Sequence, residues 1–192
     1  IPAVIKTGEL QKILQSLLRE RVPIRDMESI LETIADWGTK TKDLDVLVEY
    51  VRNGLRRTIC AQYATPDDQG ELQLYCVTLD PNLEDQINAY IDRNAQGTSM
   101  NMPARVAREI AGAINDGLSK VTMAGGMPVV ISSPQVRQAV WQIIEPHVPA
   151  AAVLGYNEIV PGINVESLAL IEPIGADQPS KGTQRPMTAA AS

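Results

Sequence analysis

Leu10, Ile13, Leu14, Leu17 and Leu18 recur three and four residues apart over residues 8–20, the spacing of one apolar face of an α-helix. Pro23 ends that pattern. Asp26 can cap a second helix with Met27, Ile30, Leu31 and Ile34 inward, and Gly38 after Trp37 suits its C-terminal stop. Asp43 opens a third helix, with Leu44, Leu47, Val48, Val51, Leu55 and Ile59 in register to about Tyr63. Gly54 inside it costs roughly 1 kcal/mol relative to alanine unless close packing requires it. Three helices on short links predict a helical subdomain over 8–66, and residues 1–7 read as the end of a preceding linker or subdomain.

The pattern changes at Thr65–Gly70, a stretch of turn chemistry. Residues 72–79 then alternate as a strand with apolar groups on both faces. Asp80-Pro81 predicts a helix start, with Leu83, Ile87, Tyr90 and Ile91 at helical spacing and a loop at 96–99. Pro103 opens another helix with Val106, Ile110, Ala113, Ile114 and Leu118 inward, and residues 122–127 read as a flexible connector. Pro128–Ile131 is a short β-branched strand. Ser133 as N-cap and Pro134 as first helical residue predict a helix carrying Val136, Val140, Ile143 and Ile144, stopped by Pro146 and Pro149. Ala152–Gly155 is a second strand, so 128–155 forms a strand–helix–strand unit expected to pair in parallel through a right-handed crossover. Residues 163–171 close the fold as a last strand. The expected class is α+β or α/β: a helical subdomain followed by a small α/β subdomain over 70–171 with a mixed sheet. Residues 172–192, rich in Pro, Gly, Ala and Ser, read as a disordered tail.

Charge changes this picture. The 192 residues carry a net charge of −6, unevenly placed. Residues 8–66 hold nine Lys/Arg against nine Asp/Glu, whereas residues 67–171 hold five against twelve. The acidic second half argues against nucleic acid as a partner, because phosphate binding needs positive surface. The chain has no Phe and only 4% aromatic residues, so its core is aliphatic. No apolar run is long enough to span a bilayer. Cys60 and Cys76 read as two buried, reduced thiols, with a disulfide left open. The start at Ile1-Pro2 reads as that of a piece of a longer protein.

Candidate chemistry is sparse. There is no phosphate loop, dinucleotide fingerprint, nucleophile elbow or His/Cys metal cluster, so no catalytic residue, metal ligand or cofactor is assigned. His147, the only histidine, stands between prolines and reads as a surface or packing residue. Ser132 and Ser133 read as capping groups rather than nucleophiles, Glu84 and Asp85 as charges favouring a helix dipole. Gly125-Gly126 is too isolated to cradle a phosphate. Trp37 and Trp141 each adjoin an apolar helix face and read as core. Arg52, Arg56 and Arg57 form the densest basic cluster; a solvated helix face competes there with a protein-contact surface.

Several stretches in order carry a resemblance: Gly8–Glu20, Pro23–Asp26, Ile30–Ala35, Leu47–Arg52, Thr78–Pro81, Ser132–Arg137 and Tyr156–Glu158. Their sequence and spacing resemble the flagellar/hypersensitive-response/invasion export pore family from about residue 4 to 171. Thr41–Asp43, the Ser-Ser-Pro at 132–134 and the Tyr-Asn-Glu at 156–158 are similar to its flagellar branch. The resemblance implies the last two of four cytoplasmic subdomains of a bacterial inner-membrane protein, the helical third and the α/β fourth. It implies a non-enzymatic, homo-oligomeric ring, usually nonameric, which meets other flagellar export-apparatus proteins, export substrates and their chaperones. Membrane contact would come only through a preceding N-terminal region, and the main chaperone groove would lie between two earlier subdomains. The alternatives are a virulence-secretion homologue or, in a different class, a small enzyme using the acidic half, for which only the versatility of α/β folds speaks.

Overall fold

In the computed structural model, which describes residues 5–94 and 97–175, helices come first and the sheet follows. Helix α1 (Thr7–Arg19) ends in a Schellman turn: Val22 N–H donates to Leu17 O at 2.9 Å and Arg21 N–H to Leu18 O at 3.0 Å. Arg21 takes the left-handed conformation there, φ 59°, normally left to glycine. The turn buries Val22 beside Leu17 and swings Glu20 inward. Asp26 caps α2 (Met27–Trp37) and Asp43 caps α3 (Leu44–Gly54), as the sequence predicts.

The expected third helix to Tyr63 is two helices. The chain breaks at Leu55, φ −89° and ψ 7°, and restarts as α4 (Arg56–Ala61). Gly54 sits beside that break, where a Cβ would stand 3.0 Å from Thr33 Oγ1; close packing against α2 therefore favours the glycine.

The sheet is β1 (Thr65–Pro66), β2 (Leu72–Leu79), β5 (Val129–Ser132), β6 (Ala152–Gly155) and β7 (Ile163–Ile171), in the order β1-β2-β5-β6 with β7 beside β2. β7, β2, β5 and β6 are mutually parallel, and β1 adds a short antiparallel pairing. β5 and β6 join through α7 (Arg137–Ile144), confirming the strand–helix–strand unit. Leu74, Cys76, Val129, Ile131, Ala152 and Leu154 share one core with α1–α4. Val77, Leu79, Val130, Val153 and Ile171 face the other way, onto α5 (Pro81–Asn88), α6 (Ala104–Met123) and α7. The sheet is thus covered by helices on both faces, which explains why β2 and β5 carry apolar groups at successive positions.

Three boundaries depart from the sequence reading. Ile91 belongs to β3 (Ile91–Asn94), which pairs with β4 (Gly97–Met100) in a hairpin where a loop was expected; eight residues of α5 end before Tyr90. α6 runs through the start of the expected connector, and Gly125 (φ 83°) and Gly126 form its stop. A Cβ on Gly126 would meet Tyr75 Cβ at 2.9 Å, so that pair is packing. α7 begins at Arg137, three residues past Pro134, because Val136 and Arg137 N–H both donate to Ser133 O and make a lead-in turn. The tail reading covers 172–192, of which 176–192 lie outside the described residues; at its start Gln86 clasps the backbone, donating to Ile174 O at 3.0 Å and accepting from its N–H at 3.3 Å.

Cys60 and Cys76 are free and buried. Burial pushes the Cys76 thiol up to about 11 from 9.0 and also raises Cys60. A raised folded-state pKa contributes stability that is present below the unfolded value and lost as pH rises through the folded one. Urea midpoints are therefore expected to hold up to about pH 9 and fall between pH 9 and 11, and Cys76→Ala should flatten that fall. An equally steep fall in the variant would assign it to other groups.

Candidate functional site

Five charged side chains from distant parts of the chain meet where α1, α3, α7 and the end of β6 converge. Arg52 of α3 donates Nε to Glu158 Oε1 at 2.8 Å, Nη2 to Glu158 Oε2 at 3.0 Å and Nη1 to Glu20 Oε2 at 3.0 Å. Arg137, first residue of α7, donates Nε to Glu49 Oε2 at 2.8 Å and Nη2 to Glu49 Oε1, and grips both oxygens of Glu20 from Nη1 and Nη2. Glu20 is thus shared by two guanidiniums. The side chains of Arg52, Arg137 and Glu158 are only 2%, 1% and 2% exposed, whereas Glu49 is 27% exposed.

β6 is the last strand of the sheet path, and its outer edge needs partners for its backbone. Arg52 Nη2 and Arg137 Nη1 both donate to Val153 O, at 3.2 and 3.3 Å. Glu158, on the 3-10 turn Tyr156–Glu158, accepts from Gly155 N–H at 2.8 Å. The cluster therefore seals the sheet edge while tying the first helices to α7. Two guanidiniums against three carboxylates leave one net negative charge. Burial alone would lower the Arg137 pKa; the facing Glu49 and Glu20 carboxylates outweigh it and hold the guanidinium above its ordinary value. Among the described residues, no buried side-chain nitrogen or oxygen lacks a partner.

Beside this cluster a groove of about 630 Å³ opens. Its walls are α3 (Asp45, Glu49, Tyr50, Asn53), the β3–β4 hairpin (Ile91, Arg93, Thr98, Met100) and α7 with its lead-in turn (Gln135, Gln138, Gln142). The hairpin is fixed across it from both strands, at the paired residues Arg93 and Thr98. Thr98 Oγ1 donates to Asp43 Oδ2 at 3.2 Å, and Arg93 donates to Gln135 O at 2.7 Å and to Asn88 Oδ1 at 3.1 Å. Glu49 belongs to both features, its carboxylate bound to Arg137 and its stem on the groove wall.

The three arginines singled out in the sequence are not brought together. Arg52 is a buried structural charge, which corrects its assignment to a contact surface: α3 turns it toward the sheet edge, into four oxygen acceptors on three residues. Arg56 and Arg57 lie past the break at Leu55 and are exposed on α4. Sequence reasoning missed Glu20, Glu49, Arg137 and Glu158, whose partners stand up to 117 residues away. The available signal was Arg52 and Glu49 within an otherwise apolar α3 face. His147 is exposed. Glu84 has a structural task, accepting Ser133 N–H at 2.7 Å. Trp37 stacks on Tyr50, centroids 3.8 Å apart, and Arg19 lies over Trp141 at 5.2 Å. Both indoles are half-buried. No cluster of His, Cys, Asp or Glu suited to a metal, and no helix long and apolar enough to cross a membrane, occurs among the described residues.

This architecture is shared with the nonameric EscV cytosolic domain from the type III secretion system, with a TM-score of 0.63 at 30% identity, covering 83% of this chain and 46% of that one. It superposes on the Chlamydia pneumoniae CdsV protein with a TM-score of 0.77 at 28% identity, covering 88% of this chain and 47% of that one. It superposes on the nonameric SctV-C of EPEC with a TM-score of 0.75 at 27% identity, covering 88% and 50%. The FHIPEP family model matches residues 1–164, and the chain belongs to the FHIPEP family. Over 171 residues it is 30% identical to the flagellar biosynthesis protein FlhA of Bacillus subtilis (strain 168), covering 89% of this chain and 25% of that protein. The chain thus spans about a quarter of the length of that relative.

Proposed function

We propose that this chain is part of the cytoplasmic portion of a flagellar type III export gate, where it helps form a homo-oligomeric ring and docks export substrates and their chaperones without catalysing a reaction. The observation that carries this reading is the likeness to the nonameric SctV-C over 88% of the chain, joined to family membership. In this reading residues 8–66 and 70–171 correspond to the third and fourth cytoplasmic subdomains, and the membrane is reached only through a preceding region.

The charge pattern supports assembly through the first half. A surface with ionic groups of both signs and no net charge can meet a copy of itself without long-range repulsion, whereas the acidic half cannot do so easily. Exposed ion pairs contribute about 0–1 kcal/mol each, so the isolated chain associates weakly. Membrane anchoring raises effective concentration and stabilises the ring. Arg56 and Arg57, exposed on α4, are the contact candidates that remain. Reversing both to glutamate in the membrane-anchored parent should impair ring assembly and secretion while leaving the melting temperature of the 192-residue chain nearly unchanged. Normal assembly and secretion by the reversed parent would leave these arginines as a solvated face.

A further inference from the structure

The groove between α3, the hairpin and α7 has a chemistry that neither ring formation nor the buried cluster uses. Its volume, about 630 Å³, falls within the range of sites that enclose a ligand. Three features of its walls define what fits. The first is a carboxylate without an ion-pair partner among the described residues: Asp45, one helical turn before Glu49 and in the first turn of α3. Glu49 is already held by Arg137, so Asp45 is the groove's available anion. The second is a guanidinium bound only to neutral groups: Arg93 donates to a backbone carbonyl and a side-chain amide, with no carboxylate within ion-pair distance among the described residues. The third is a row of primary amides on α7. Gln138 and Gln142 stand one turn apart on the groove wall, and their side chains hydrogen-bond to none of the described residues.

Primary amides offer a donor and an acceptor side by side, as a peptide unit does. A row of them reads main chain without selecting side chains. Anionic groups of nucleotides or lipids would meet Asp45 and Glu49 against one arginine. A ligand of one charge sign satisfies one wall and is repelled by the other.

We propose that this groove binds a polypeptide segment of a partner protein in extended form, with a basic side chain toward Asp45, an acidic side chain toward Arg93 and its main chain along Gln138 and Gln142. The apolar floor of Ile91 and Met100 takes the aliphatic stems. The hairpin is the fixed far wall, because Thr98 and Arg93 pin it on both sides. The assignment does not depend on the ring, whose contact candidates lie on α4.

The test uses the 15N-labelled 192-residue chain and two blocked heptapeptides, each carrying one lysine and one glutamate, in opposite orders. A third peptide has glutamine in place of both charges. One charged order should shift backbone signals of Val46, Met100 and Gln138 in saturable fashion, and more weakly at high salt. Asp45→Asn and Arg93→Gln, checked for unchanged unfolding curves, should each weaken that binding roughly fivefold, the effect of one exposed ion pair. Three outcomes would overturn the proposal: groove signals that do not move at millimolar peptide, equal binding of the glutamine peptide, or groove shifts that depend on protein concentration without peptide, which would make a second copy the occupant. Any of these would leave the ring-forming reading standing.

Discussion

Replacing Arg137 with alanine is expected to destabilise the chain by about 3–5 kcal/mol, the cost of stranding buried carboxylates by removing their cation. Arg137 binds both oxygens of Glu49 and both of Glu20 and donates to Val153 O. Without it Glu49 has no cation and the open edge of β6 loses a donor. Glu20, 7% exposed, is left to Arg52 alone. Water can reach Glu49 more easily than Glu20, which places most of the loss at Glu20 and the sheet edge. For a chain of this length the melting temperature should fall by roughly 6–20 °C. The urea midpoint should drop with the slope unchanged, since the surface exposed on unfolding stays the same. Arg137→Met should do little better, because it restores volume and not charge. Arg56→Ala, on exposed α4, should stay within about 0.5 kcal/mol. A loss under about 1 kcal/mol for Arg137→Ala would show that solvent compensates the cluster.

The helices and the parallel unit were legible because each depends on local spacing. Leu10 to Leu18 define α1, and Asp26 and Asp43 cap where they were expected to cap. The misses have one physical origin, competition from tertiary packing. Leu55 sits in register with α3 yet ends it, since bending there lets Arg52 face the sheet edge and Ile59 enter the core. Ile91 continues a helical period and still becomes strand, because it pairs with Met100. The cluster was nearly invisible. Arginine among leucines and valines on a helix reads as a solvated flank unless its acceptors are known, and Glu158 lies 106 residues from Arg52. Sequence places Ser133 and Pro134 at a helix start, while the hydrogen-bond pattern that delays α7 to Arg137 depends on Glu84 holding Ser133 from another element. That delay makes Arg137 the first residue of the helix, where its side chain reaches the end of β6.

A pair and a network predict opposite couplings, and double variants at Arg52 separate them. Glu158→Ala should cost about 3–5 kcal/mol, since it leaves Arg52 with Glu20 as its one anion and Gly155 N–H without its acceptor. Arg52→Ala should cost a similar amount by stranding Glu158. Combining the two removes a cation and its anion together, so the double variant should lose less than the sum, by about 2–3 kcal/mol. Arg52→Ala with Arg137→Ala should behave in the other direction. Each single variant leaves Glu20 one guanidinium. The double leaves it none, and three converging carboxylates remain without a cation. Its loss should exceed the sum, up to failure to fold above low urea at neutral pH. Arg52→Lys and Arg137→Lys retain charge without the planar fork and provide a milder pair for equilibrium unfolding. Their combination should also be worse than additive if Glu20 is the shared anion. Additive losses in both arginine doubles would mean two independent ion pairs, and Glu20 would then have no role in tying α1 to α7.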